Sequence, residues 1–162
     1  MHDLPGWLKH TTVWLLLSTA LFLAVLAWQH REERARFVVQ GGTVEIRRSP
    51  DGHYHWPGRV AGREVDFLVD TGATGTAIPA ALARELGLPE EGRMQSLTAG
   101  GVVQGTVVVG DLALRGGLDA KRLRMSALPN LGAPLLGMDV LGKLRWEQAQ
   151  GVLRVHLQVG SP

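Results

Sequence analysis

From Thr11 to Trp28 the chain reads TTVWLLLSTALFLAVLAW, an apolar run without a charge. After it the pattern breaks into short apolar segments divided by Gly, Pro and charged residues. The run holds 18 residues, just enough for a helix rising about 1.5 Å per residue to cross a hydrocarbon layer about 30 Å thick. Its polar positions are Thr11, Thr12, Ser18 and Thr19, small hydroxyls that can bond back to the helix. Trp7, Trp14 and Trp28 stand towards the ends, where an interfacial belt belongs. The pattern predicts a transmembrane helix over 11–28, preceded by a flank over 1–10 and followed by a juxtamembrane stem over 29–40. A cleaved signal peptide competes with it, with Ala27 as a cleavage point, but the run is long for such a segment and no Ala-x-Ala site follows.

Residues 41–162 are expected to form one domain, with the stem leading into its first strand near Phe37. TVEIRR stops at Ser49-Pro50-Asp51-Gly52, a strong turn signal, and HYHWPGRV runs to a second turn at Ala61-Gly62-Arg63. VDFLVD is a third strand. Pro79 opens AALAREL and Gly87 closes it, the bracket of one short helix. VVQGTVVVGDLAL predicts two strands, LRMSAL another and VLRVHLQV an alternating last one. No parallel strand–helix–strand pattern is visible.

Composition narrows the class. Of 162 residues 45% are hydrophobic and 20% charged, which excludes a disordered chain or a coiled coil. The 21 Gly and 8 Pro suit short strands and tight turns, so the expected class is all-β. The 17 basic residues are interspersed with 15 acidic ones, leaving a net charge of +2 and no basic block, so no nucleic-acid partner is expected. The absence of cysteine excludes disulfides and thiol chemistry.

The stretch with chemical content is Phe67-Leu68-Val69-Asp70-Thr71-Gly72-Ala73. An apolar strand delivers an acid to a turn, where Gly reaches backbone angles closed to other residues and the turn's amides and Thr hydroxyl can hold the carboxylate. As a bare triplet Asp-Thr-Gly can merely end a strand. An aspartyl-phosphate enzyme also puts Asp at a strand end, but it needs an acid two residues on or a Lys next, and Gly72 and Thr71 occupy those places. Downstream come Thr98-Ala99-Gly100-Gly101 at a predicted hairpin tip and Leu135-Leu136-Gly137-Met138-Asp139 before another short helical turn.

With these pieces the chain resembles the retropepsin-like aspartic proteases, in particular their bacterial, membrane-anchored, single-domain branch. The resemblance covers about residues 50 to 158 and is carried by DGHYHWPGRVAGREVDFLVDTGAT, by the helix ending in ELGL, by TAGG and by LLGMDVLG. It implies a closed β-barrel with one short helix. It further implies that Asp70 is catalytic, that Thr71, Gly72 and Ala73 complete its motif, and that the hairpin at 98–101 covers a peptide substrate. Leu135, Leu136 and Gly137 match the second apolar-Gly element, and two chains supply one Asp each. Two departures stand out: TAGG lacks a polar residue near Ala99, and Met138 stands where retroviral enzymes place an Arg. The pairing of acids has a chemical reason, since two carboxylates about 3 Å apart cannot both ionise and share one proton. With a single Asp-Thr-Gly and about half the length of a two-lobed enzyme, a homodimer is the economical assembly.

The expected function is a membrane-anchored aspartic endopeptidase that hydrolyses peptide bonds through water. The alternative is a catalytically silent peptide-binding or dimerisation module on the same fold, which would need no such acid. No metal or cofactor is expected: His53 and His55 share a strand face, but no third ligand is evident. Asp66 shares the Asp70 strand face and reads as a solvated or turn-paired carboxylate, Asp139 as a helix N-cap, and Arg122 and Arg124 as the wet face of a strand. Lys9 precedes the apolar run while Arg31, Arg34 and Arg36 follow it, which by the Lys/Arg count favours a cytoplasmic domain. The resemblance implies a periplasmic one at the inner membrane, and that placement is the expectation.

Overall fold

The computed structural model describes residues 6–35, 37–98 and 101–157. The chain divides into two compact units, 1–36 and 37–162. In the first, helix α1 (Gly6–Ala35) contains the apolar run, and the Thr19 hydroxyl donates back to the Leu15 carbonyl at 2.8 Å. Trp14, Leu17, Leu21 and Phe22 are exposed. Among the described residues, however, no helix is long and apolar enough to cross a membrane. The expectation of a transmembrane helix over 11–28 is corrected accordingly. The run sits at the short end of what a bilayer needs, four hydroxyl residues dilute it, and the helix continues into the charged sequence QHREERA instead of ending at an apolar edge.

The second unit is mostly β with two short helices. Strands β1 (Phe37–Gln40), β2 (Thr43–Arg47), β10 (Arg145–Ala149) and β11 (Val152–His156) form an antiparallel sheet in the order β1-β2-β11-β10. Alternation does the work that periodicity predicts: Val44 and Ile46 of β2 and Leu153 and Val155 of β11 are buried, while Arg154 between them reaches Glu45 at 2.7 Å on the wet face.

The larger sheet contains β3 (His55–Val60), β4 (Arg63–Val69), β5 (Ala77–Pro79), β6 (Glu90–Thr98), β7 (Gly101–Leu114), β8 (Leu118–Leu128) and β9 (Leu135–Leu136), in the order β3-β4-β9-β5-β8-β7-β6. β3 also pairs with β7, closing a ring of six strands from which β6 extends. Trp56 and Phe67, register partners on β3 and β4, are fully buried at its centre with Ile78, Leu112, Met125 and Leu136. The indole of Trp56 donates to the Arg115 carbonyl at 2.9 Å, so its one polar atom is satisfied.

Helix α2 (Ala80–Glu85) follows Pro79 and ends as its bracket predicts: Gly87 adopts φ +59 and its amide donates to the Arg84 carbonyl. One expectation fails in the sheet. VVQGTVVVGDLAL is one strand, because its glycines serve close approach, not turning: a Cβ on Gly105 would lie 2.8 Å from the Ala127 carbonyl oxygen on β8, and the register shift near Gly110 bends β7 without ending it. Parallel pairs also exist, β4 with β9 and β5 with β8. They escape periodicity because β9 has only two residues and no crossover helix announces it.

Candidate active site

The Asp-Thr-Gly turn begins where β4 ends. Phe67 is buried inward, so Asp66 and Leu68 face the other way, and Asp70 emerges one residue past the strand on their side. The Asp70 amide donates to the Leu136 carbonyl at 3.0 Å, fixing the turn to β9, and the Gly72 amide donates to the Asp70 carboxylate at 2.9 Å. A Cβ on Gly72 would come within 3.2 Å of that same oxygen, which is a reason for Gly at this position. Asp70 is half-buried, while Thr71 and Gly72 are exposed. The acid is thereby held by backbone and open on one side.

Behind the turn stands α3 (Met138–Leu141). Its first amides reach back into the motif: Met138 N–H donates to the Ala73 carbonyl at 2.9 Å and Asp139 N–H to that of Thr74 at 3.1 Å. Asp139 is not the N-cap; Gly137 holds that position with no side-chain cap. The carboxylate of Asp139 instead accepts from the Thr76 hydroxyl at 2.8 Å and from the Val140 amide at 3.0 Å. Thr76, only 1% exposed, in turn accepts from the Gly137 amide at 3.3 Å. Gly137 is obligatory here, because an added Cβ would overlap the Gly75 carbonyl and sit 2.8 Å from the Thr76 nitrogen. Thus Leu135, Leu136 and Gly137 lie directly against Asp70–Thr76.

Thr98 and Gly101 are register partners at the open end of β6 and β7, while Ala99 and Gly100 lie outside the described residues. Just below, the partners Leu97 and Val102 are 84% and 63% exposed. Met138, in place of an Arg, is 37% exposed and forms no ion pair.

His53 and His55 do not converge on a common ligand. His55 Nε2 lies 2.8 Å from the Asp51 carboxylate and Nδ1 lies 3.1 Å from that of Asp66, so its two nitrogens point to two different acids. Among the described residues no group of three His, Asp or Glu could hold a metal ion. Asp51 is held below the usual carboxylate range, first by the His53 amide at 3.0 Å and then by His55. Arg124 and Arg122 are exposed and meet Glu91 at 3.3 and 3.9 Å. Thr76 and Asp51 are the residues that motif reasoning missed. Asp51 was hidden in a turn signal, and the partner of Thr76 is 63 positions away.

The family model described as "gag-polyprotein putative aspartyl protease" matches residues 56–143. Among solved structures, a retropepsin-like aspartic protease from Rickettsia conorii aligns with a TM-score of 0.57 and 23% identity over 70% of this chain and 90% of that one. EIAV protease complexed with the inhibitor HBY-793 aligns with a TM-score of 0.47 and 18% identity over 59% and 90%. No curated protein matches. The matched span runs from Trp56 through Asp70 to α3, the strand, turn and backing helix just described, and the chain belongs to the gag-polyprotein aspartyl protease family as a retropepsin-like aspartic protease.

Proposed function

We propose that two copies of this chain build one active site, each supplying Asp70, and hydrolyse a peptide bond held in extended form between them. The observation that carries this reading is a lone Asp-Thr-Gly whose acid is rigidly mounted and open on one side. Asp139 is committed to Thr76 and Asp66 to His55, so neither serves as a partner acid within the chain. In the dyad the ionised carboxylate takes a proton from water as the oxygen attacks the scissile carbon. The protonated carboxylate gives its proton to the carbonyl oxygen, and collapse of the tetrahedral species returns a proton to the departing amine. The exposed Leu97 and Val102 suit a hairpin that covers apolar parts of the substrate.

A covalently tethered dimer tests the assembly. With one wild-type subunit and one Asp70→Asn subunit it should be as inactive as the double mutant; half activity would mean that one chain suffices. The domain is placed in the periplasm in this reading, following the resemblance. A reporter active only outside the cytoplasm, fused after Pro162, should give signal, whereas signal from a cytoplasmic reporter alone would reverse the placement.

A further inference from the structure

Neither the motif nor the dyad makes use of His55, yet both of its ring nitrogens face carboxylate oxygens, Asp51 at 2.8 Å and Asp66 at 3.1 Å. A neutral imidazole has one N–H and one lone pair, so only the doubly protonated ring donates to both acids. Loss of that proton sets a lone pair against an ionised carboxylate and cuts one of the two bridges. The His53 amide, and then His55 itself, hold Asp51 below the usual carboxylate range, which disfavours relieving the mismatch by moving the proton there. We propose that Asp51, His55 and Asp66 form a proton-operated clamp that fastens the turn at 48–54 to β4 and so steadies the strand that presents Asp70.

The route from clamp to site is short. His55 stands opposite Leu68 in the β3–β4 register, and the carbonyl of its neighbour Tyr54 accepts the amide of Val69 at 2.9 Å, the residue directly before Asp70. The other charged groups near the ring are few. His53 lies beside Asp51 in the turn, the Arg59–Glu64 pair at 3.4 Å lies further along the strands, and Arg48 lies over the ring of Tyr54. Arg59, Glu64 and Arg48 have contacts of their own, and among the described contacts none of these groups bridges to His55. The three clamp side chains are 29%, 48% and 59% exposed, so solvent protons reach them freely and the expected effect is modest.

The test is made on the full chain carrying Asp70→Asn, so that its outcome does not depend on the dyad or on self-cleavage. Amide exchange at Val69, corrected for the intrinsic pH dependence of exchange, should show about threefold greater protection at pH 5 than at pH 8, as befits loss of one exposed charged hydrogen bond. His55→Gln should be equally unprotected at both values. Asp66→Asn should stay protected at both, because an amide can donate to the lone pair of the neutral ring while the opposite N–H still reaches Asp51. Equal protection of the parent at the two pH values would overturn the clamp, as would an unchanged threefold ratio in either variant. Should His55→Gln fail to fold, Asp66→Asn alone decides.

Discussion

Thr76 holds the Asp70 turn from behind, with a buried hydroxyl that donates to the half-buried Asp139 and accepts from Gly137. Thr76→Val leaves a half-buried carboxylate and a buried amide each short of a partner, and should lower the unfolding free energy by about 1–2 kcal/mol in urea titrations, with Thr76→Ser restoring most of the loss. Tyr54 poses the opposite case: among the described residues its buried hydroxyl has no partner, so Tyr54→Phe should raise stability by about 1 kcal/mol. Asp70→Asn should abolish peptide hydrolysis and leave the unfolding midpoint almost unmoved, since an amide fills the same space but cannot take a proton from water. The depressed Asp51 gives a signed pH effect. Its contribution to stability is present above the ordinary carboxylate value of 3.8 and is lost as pH falls through its lower folded value. Replacing it by Asn should therefore flatten the acid limb of a stability–pH curve below about pH 4. Asp70 is legible because a strand, a turn and a glycine announce it locally. Thr76 is not, since its meaning lies in a partner on a distant segment, and for the same reason the sequence suggests a cap where Asp139 binds Thr76 instead.

Among the elements, β9 and α3 decide whether the site exists. Two apolar residues suffice for β9 because they lie between β4 and β5 and take their hydrogen bonds from neighbours on both sides, and Gly137 lets the chain leave at once without striking Gly75. Gly137→Ala should cost about 1–3 kcal/mol, because the added methyl meets backbone that cannot rotate away. Its effect should appear in hydrolysis as well as in thermal unfolding, since the displaced Gly75–Thr76 segment is the far end of the catalytic turn. Elements with local punctuation were readable from sequence, as the bracket of Pro79 and Gly87 around α2 illustrates. The sequence pattern divides β7 because its glycines resemble turn signals, whereas in the fold Gly105 admits a neighbouring strand. The apolar run was readable as a helix but not as a membrane span: length and polarity set that limit, and helical propensity does not inform on it.

For the molecule as a whole, the proposed two-chain site would tie activity to association. Activity of the domain should rise more steeply than linearly with concentration below the dimer dissociation constant, and sedimentation in the same range should show monomer giving way to dimer. In the proposed dyad a shared proton should place the optimum in mildly acid solution; a rate that climbs steadily into alkali would point to different chemistry. The placement of β9 bears on time as well as geometry. Val69 must pair with Leu136, so the Asp70 turn lacks both its anchoring carbonyl and its backing helix until residues 135–141 have been synthesised and threaded between strands already made. Pairings between such distant segments are slow to form because the intervening loop must close first. A nascent chain therefore carries its acid unarmed until residues 135–141 are in place, and peptide-cutting power waits on that late-made pairing.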